Sequence, residues 1–350
     1  MTRVAAYAAP AAGRPLVPFV VDRREPRADD VEIDVLFCGI CHSDIHQARD
    51  EWSGATFPMV PGHEVVGRVR RVGATVRRVR VGDLVGVGCM VDACRTCVPC
   101  RHGTEQFCDA GCAWTYNGTE MDRVTPTFGG YSKRLVVTER FVLRVPDGLA
   151  PEAAAPLLCA GITTWSPLRA YGCQRGTRVA VAGLGGLGHM AVKLAAAMGA
   201  EVTVLSTSSK KEADARRLGA HAFCVTRDAA SFEAIGERFD LLVDTVSAPH
   251  DFGDYLSTLR PHGTMVLVGV PPTATPLDAF ALIHGNRRLA GSLIGGIAET
   301  QEMLDFCGAH RIVSDVEVIP MSKVNEAYER VVRGDVRYRF SVDLATLPDV

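Results

Sequence analysis

Cys94-Arg-Thr-Cys97-Val-Pro-Cys100, followed by Cys108, crowds four thiols into one short stretch. Zinc takes four soft ligands tetrahedrally, and the spacing C-x2-C-x2-C-x7-C lets one lobe wrap the ion without long-range closure. Four sulfurs with no other ligand predict a closed, structural site. Two local disulfides or an iron–sulfur centre would use the same thiols. Disulfides belong to oxidising compartments, and no other electron-transfer signature accompanies the cluster. Cys89 and Cys112 flank the lobe but break its spacing, and read as ordinary small residues.

A second chemical stretch is Gly183-Leu-Gly185-Gly186-Leu187-Gly188, with a β-branched run before it and a helical pattern after it. In that context G-x-G-x-x-G predicts a diphosphate seat. The first glycine allows the tight turn, the second lets backbone approach the pyrophosphate, and the third lets helix and strand pack closely. The anion then lies on the free N–H groups at the positive end of the helix. An ordinary strand-to-helix turn is the bland alternative.

A third group is dispersed. Cys41-His42-Ser43-Asp44-Ile45-His46 comes early, Gly62-His63-Glu64 later, and Cys159 later still. A catalytic zinc uses three protein ligands and keeps one position open. Cys41, His63 and Cys159 could supply two thiolates and an imidazole. Spacing alone leaves this open, because a lone buried Cys or His is more often core.

The chain that must position these groups has 350 residues, enough for two domains with sizeable cores. Its net charge of −2 gives no reason to expect a nucleic acid or a membrane surface as partner. No apolar run reaches the roughly 18 residues of a spanning helix. The N-terminus, broken by Pro10, Pro15 and Pro18, reads as strands and turns rather than a signal peptide, so the cytoplasm is the expected compartment. Twelve cysteines in a chain of this size point to metal, not staples.

Residues 1–155 read as short strands and frequent turns. Residues 31–36 alternate apolar and polar, and 65–87 are valine-rich and broken by Gly67, Gly73, Gly82 and Gly86, a small β-barrel pattern. Pro146-Asp147-Gly148 marks a turn near the boundary. From 178 to about 309, strands (202–205, 223–225, 241–246, 265–270, 289–294) alternate with helical segments such as 210–218 and 252–259. That order predicts an α/β doubly wound parallel sheet. After 313 come a further strand, a helix at 323–332 and a final strand at 338–342.

Taken together, the motifs resemble the medium-chain zinc alcohol dehydrogenases, and within them the cinnamyl alcohol dehydrogenase-like branch. The matching segments are Gly39-Ile-Cys-His-Ser-Asp44, Val60-Pro-Gly-His-Glu64, Val81-Gly-Asp-Leu-Val-Gly-Val-Gly88, Ala155-Pro-Leu-Leu-Cys-Ala-Gly-Ile-Thr163 and Gly183-Leu-Gly-Gly-Leu-Gly-His189. Ala290-Gly-Ser-Leu-Ile-Gly-Gly296 and Gly334-Asp-Val-Arg-Tyr-Arg-Phe340 are similar to bacterial NADPH-dependent aldehyde reductases of this branch.

The resemblance implies a GroES-like β-barrel catalytic domain over 1–156, completed by 298–350, a Rossmann NADP-binding domain over 157–297, and an active site in the cleft. It assigns a catalytic zinc to Cys41, His63 and Cys159, with Glu64 exchanging with water as a fourth ligand. Cys94, Cys97, Cys100 and Cys108 then hold the second, structural zinc. Asp44 would bond the far nitrogen of His63, and Cys38 is a bystander. The metal polarises a carbonyl as a Lewis acid while nicotinamide delivers hydride, and Ser43 and His46 relay the proton that the oxygen needs, a task that imidazole suits.

An NAD-binding fold places an acid at the tip of its second strand. Here the tip is Ser206-Thr207-Ser208-Ser209-Lys210-Lys211, hydroxyls and ammoniums that suit a 2′-phosphate, although a helix cap and two surface lysines would look the same. The resemblance assigns Ser206, Ser208 and Lys211 to that phosphate, so NADP(H) is expected over NAD(H). It places Trp52, Trp114 and Ile294 on the substrate pocket, with Phe57 and Leu293 beside them. Thr163, Val270 and Ser292, like Ile294, fall near the nicotinamide. An aromatic or aliphatic aldehyde, reduced reversibly to its primary alcohol, is the expected substrate, and a homodimer paired near 289–294 the expected assembly. Rival readings are a same-fold reductase of a conjugated double bond, which tends to lose the relay pair, a zinc-free quinone reductase, and a non-catalytic zinc- and nucleotide-binding protein.

Overall fold

The computed structural model describes residues 1–349. Two compact units emerge: Met1–Cys159 together with the chain from Gly295 onward, and Ala160–Ile294.

In the first unit the long strand Asp30–Ile40 is the organiser. Its alternating residues Val31, Ile33 and Val35 are buried, as a half-buried strand requires. It pairs antiparallel with Val65–Val72, Arg134–Thr138 and Arg339–Asp343. Leu84–Val87 and Leu143–Arg144 extend the sheet on one side and Val316–Pro320 on the other, seven strands among the described residues. Thr2–Ala8 and Val17–Arg23 form a separate hairpin. The chain end therefore returns to the sheet that its beginning built.

The second unit holds a six-stranded, all-parallel sheet among the described residues, ordered Ala222–Val225, Glu201–Ser206, Arg178–Ala182, Phe239–Asp244, Leu259–Leu267, Arg288–Gly291. Val179, Ala180, Val181 and Ala182 are all fully buried, because helices cover both faces of such a sheet. Each Val or Leu so buried contributes about 1.5–3 kcal/mol.

Several boundaries differ from those the sequence predicts, each for a local reason. The strand expected at 265–270 runs instead over Leu259–Leu267, and the N–H groups of Val268 and Gly269 leave the ladder for the Asp244 carbonyl. Leu259 opens that strand, so the preceding helix is Phe252–Ser257, not 252–259. The strand expected at 289–294 ends at Gly291, and Ile294 has a positive φ of 38°. The helix expected at 210–218 splits into a 3₁₀ turn, Ser209–Lys211, and Glu212–Leu218. The strand expected at 241–246 stops at Asp244. Helices Ala160–Ala170 and Ile297–His310 were not expected. Among the described residues no helix is long and apolar enough to cross a membrane.

Candidate functional site

Strand Asp30–Ile40 delivers Cys41 to the start of helix His42–Ala48, and that short helix is tied down through Asp44. The Asp44 carboxylate is fully buried. It accepts from the Cys41 N–H (2.9 Å), the Gly62 N–H (3.1 Å), His63 Nδ1 (3.1 Å) and the Tyr131 hydroxyl (3.4 Å). Because Nδ1 of His63 donates to Asp44, its Nε2 keeps a lone pair for a metal. The same carboxylate keeps the His63 proton affinity well above that of free imidazole, against the pull of burial. The His63 ring stacks on Tyr116 at 5.7 Å.

Cys41, His63, Glu64 and Cys159 converge, all buried, with ligand atoms within 4.8 Å of one another. The Cys41 and Cys159 sulfurs are 3.9 Å apart. Two thiolates on one tetrahedral zinc lie about 3.8 Å apart, from Zn–S bonds near 2.3 Å. The site therefore fits the ion. The two thiols share a hydrogen bond that pulls Cys41 well below the usual thiol value and pushes Cys159 up. Ser43 Oγ lies 3.6 Å from the Cys41 sulfur.

Glu64 sits behind this group in a cradle cut for it. A side chain at Gly39 would put its Cβ 1.9 Å from Glu64 Oε2, so only glycine fits there. One Glu64 oxygen is paired with Arg339 of the last strand, and the other, Oε2, is buried without a partner. Burial pushes the Glu64 carboxyl up to about 7, with Arg339 opposing. An orphaned carboxylate oxygen among soft ligands is what a cation would satisfy. Sequence reasoning missed Arg339, Tyr131 and Tyr116, since a single Arg or Tyr far along the chain carries no spacing signal.

His46 lies on the helix of Cys41 and Asp44, its Nδ1 bonded to Glu51. Its ring stacks between His42 (5.0 Å) and Trp52 (4.9 Å). Trp52 is 44% and Trp114 38% exposed, large apolar rings facing solvent, while Phe57 is half-buried.

The lobe of Cys94, Cys97, Cys100 and Cys108 is also assembled, its ligand atoms again within 4.8 Å. The Cys94–Cys100 and Cys97–Cys108 sulfurs are 3.9 and 4.0 Å apart. Backbone N–H groups aim at the sulfurs, that of Cys97 at Cys94 and that of Cys94 at Cys108, both 3.4 Å. Donors of this kind from Thr96 and Cys97 hold the Cys94 thiol at about 6. Cys112 is buried beside this lobe. Cys89, read from sequence as an ordinary small residue, donates its thiol to the Leu158 carbonyl at 3.9 Å, and the neighbouring Cys159 lowers its proton affinity.

In the second unit Gly183 through Gly188 form the turn from strand Arg178–Ala182 into helix Gly188–Ala197. A side chain at Gly188 would place its Cβ 2.1 Å from the Gly183 carbonyl, which accounts for the third glycine. Gly185 and Gly186 lie between them, with Leu187 capping the helix. Ser206 ends its strand, its Oγ accepting the Ser208 N–H at 3.3 Å. Thr207 is exposed, and Lys211 Nζ donates to the Leu184 carbonyl at 2.9 Å, laying its ammonium over the glycine turn. Arg227, which sequence reasoning missed, donates through Nε to the Thr207 carbonyl at 3.1 Å. Thr163 is buried on helix Ala160–Ala170, Val270 is exposed beyond its strand, and the Ser292 N–H bonds the Leu267 carbonyl (3.1 Å). Leu293 is half exposed and Ile294 nearly buried.

Residues 27–147 match the alcohol dehydrogenase GroES-like domain family, and residues 186–309 match the zinc-binding dehydrogenase family. The chain is 53% identical to NADP-dependent alcohol dehydrogenase C of Mycobacterium tuberculosis, over 99% of its length and all of the relative. It is 50% identical to the aldehyde reductase YahK of Escherichia coli, over 99% of its length and all of that protein. Among solved structures, the cinnamyl alcohol dehydrogenase SbCAD4 of Sorghum bicolor superposes with a TM-score of 0.96 at 46% identity, covering 100% of this chain and 99% of that one.

Proposed function

This chain belongs to the zinc-dependent medium-chain alcohol dehydrogenases, and from that premise we propose how its residues divide the work of reversible hydride transfer between NADP(H) and a small aldehyde or alcohol. The observation that carries the assignment is the convergence of Cys41, His63, Glu64 and Cys159 around an orphaned carboxylate oxygen. Cys41, His63 and Cys159 hold the catalytic zinc, with Glu64 as the exchangeable fourth group. Cys94, Cys97, Cys100 and Cys108 hold the structural one.

When bound, zinc supplies a Lewis acid that polarises the substrate carbonyl, and NADPH supplies the hydride. The protein's own residues do the rest. Asp44 fixes the tautomer and ring plane of His63. Arg339 pairs with Glu64 and opposes the neutralisation that burial favours. Ser43, beside the Cys41 sulfur, gives its hydroxyl proton to the alkoxide oxygen of the product, and His46 restores it from solvent. Trp52, Phe57 and Trp114 are the apolar side chains that the GroES-like unit offers an aromatic or aliphatic aldehyde, and Leu293 is the one that the dinucleotide unit offers.

The GroES-like catalytic domain is read as 1–156 with 298–350 and the dinucleotide domain as 157–297, close to the two compact units, of which the first takes in Cys159. There Gly183, Gly185, Gly186, Leu187 and Gly188 seat the diphosphate. Ser206, Thr207, Ser208 and Lys211 receive the 2′-phosphate, with no carboxylate at the strand tip to repel it. Thr163, Val270, Ser292 and Ile294 flank the nicotinamide. The sheet edge Arg288–Gly291, with exposed Phe280 and Ile283 nearby, is the surface for a homodimer, and the cytoplasm is the compartment.

Steady-state assays of the zinc-loaded enzyme with cinnamaldehyde test this reading. The expected product is cinnamyl alcohol, with kcat/KM at least about tenfold higher for NADPH than for NADH, the worth of one charge-assisted contact. Saturated aldehyde as product, or equal rates with both dinucleotides, overturns the corresponding part.

A further inference from the structure

The buried charged pair Asp244–His250 has no part in the chemistry above, yet it stands at the end of strand Phe239–Asp244, beside the glycine turn. Asp244 is fully buried. Its Oδ2 meets His250 Nε2 at 2.8 Å, and its Oδ1 accepts the Val246 N–H at 3.0 Å. The other ring nitrogen, His250 Nδ1, lies 2.8 Å from the Ala248 carbonyl. A carbonyl and a carboxylate are both acceptors, so both ring nitrogens carry protons and His250 is an imidazolium. Its side chain is nine-tenths buried, with the Phe252 and Tyr255 rings edge-on at 5.1 and 5.3 Å.

The loop that this pair closes, residues 245–250, forms one wall of the glycine turn. Thr245 donates its N–H (3.1 Å) and its hydroxyl (2.7 Å) to the Ala182 carbonyl. An added Cβ at Gly183 would meet Thr245 Oγ1 at 3.0 Å and Val246 Cγ2 at 3.2 Å, and one at Gly188 would meet Thr245 Oγ1 at 3.2 Å. On the other side, an added Cβ at Gly269 would lie 2.4 Å from the Val246 carbonyl. The Asp244 carbonyl accepts the N–H groups of both Val268 and Gly269 at 3.0 Å. The ends of three neighbouring parallel strands are thus held by one short loop, and ligands of such sheets bind at those strand ends.

We propose that His250, held as an imidazolium between the Asp244 carboxylate and the Ala248 carbonyl, is a positioning residue for the dinucleotide. It pins residues 245–250 against the glycine turn, so dinucleotide affinity falls when it loses its proton. This rests on the reading of the glycine turn as the dinucleotide seat.

The charged and titratable groups that face His250 are Asp244 from its strand, Asp251 from the loop and the Tyr255 phenol from the following helix. Burial pulls the His250 proton affinity down, but the bonds to Asp244 and Ala248 and the charges of Asp244 and Asp251 raise it above the ordinary imidazole value. A raised value means the pair is intact at neutral pH and is lost as pH rises through it. Proton and dinucleotide then favour the same state, and by linkage each raises the affinity of the other by the same factor.

The test uses the full-length, zinc-loaded protein. Dissociation constants for NADPH and NADH are measured by calorimetry between pH 7 and pH 9.5, in wild type and His250→Gln, whose amide still donates to Asp244 without charge. For wild type, both dinucleotides are expected to weaken with rising pH by about fivefold more than for the variant, the low end of site-to-site coupling. An effect on NADPH alone would belong to the 2′-phosphate and overturns the proposal, as does an equal pH slope in the variant. Should His250→Gln fail to fold, the His250 ring is followed by NMR in wild type. Saturating NADH should raise the pH at which it titrates, and an unmoved titration overturns the proposal. Absence of dinucleotide binding at every pH instead removes the underlying reading of the glycine turn.

Discussion

Cys94 and Cys108 lie fourteen positions apart in one lobe, whereas Cys41 and Cys159 lie 118 apart and meet only when the first unit has folded. Both sulfur sets reach nearly the same spacing, 3.9 to 4.0 Å. They reach it by different physics. The lobe closes a short loop at small entropic cost and orients its sulfurs with its own backbone N–H groups. The dispersed set relies on the sheet to deliver Cys41, on Asp44 to aim His63, and on Arg339 to pair with the buried Glu64. It also contains a histidine and a carboxylate, so one position can open, while the four thiols of the lobe leave none. Burial follows the same division: every member of the dispersed set is buried, and three of the four lobe cysteines are partly exposed. The first set is built for chemistry inside a low-dielectric site, and the second for holding a loop.

The sharpest way to break this contrast is Cys159→Ala. Turnover is expected to fall by about 10³-fold or more, because Lewis-acid stabilisation is worth several kcal/mol. Metal analysis should find one of the two ions lost, while the lobe keeps its own. A variant that keeps both ions and full turnover would remove Cys159 from the chemistry.

The contrast also governs what the sequence could reveal. The cysteine lobe and the glycine turn declare themselves by spacing, since their members are neighbours in the chain. Cys41, His63 and Cys159 are separated by whole strands, and only the likeness to a family joined them. Arg339 lies inside the segment 334–340 that carries the likeness, but its pairing with Glu64, 275 positions away, has no spacing signal to mark it. Helix Ala160–Ala170 was invisible for another reason. Eight of its residues are buried, so it shows no apolar stripe, and Pro167 inside it reads as a breaker. The strand predicted at 265–270 was overrun because a hydrophobic pattern cannot show that Val268 and Gly269 turn their N–H groups to Asp244. The alternation in 31–36 sufficed to find the organising strand, since Val31, Ile33 and Val35 share one face and are all buried.

A smaller effect is expected at Asp44, which aims a ligand without being one. Asp44→Asn keeps the shape, but its single carbonyl oxygen can accept either from Cys41 or on the side of Gly62 and His63, not on both, and the carboxylate charge beside His63 is gone. Outer partners of this kind are worth about 10- to 100-fold in metal affinity or activity. Zinc titration against a chelator and kcat should fall together, while the lobe keeps its ion. Loss of the lobe's ion as well would mean that the two sites are not independent.

The smallest effect on turnover is expected at the lobe itself, and it completes the contrast. Cys97→Ala leaves three sulfurs and removes the one 4.0 Å from Cys108. None of the lobe's cysteines belongs to the dispersed set, so kcat per folded molecule at 20 °C should stay within about twofold, the range of a change remote from the reacting groups. Stability should respond instead. Loss of a structural metal ranks with the few mechanisms that cost about 4–5 kcal/mol, and at about 2–4 °C per kcal/mol melting should drop by roughly 10 °C or more. Added zinc should not restore the melting temperature of Cys97→Ala, although it should restore that of wild type stripped by a chelator. If kcat instead collapsed while the dispersed site stayed loaded, the lobe would be part of the catalytic machinery, and the division between a site for chemistry and a site for shape would fail.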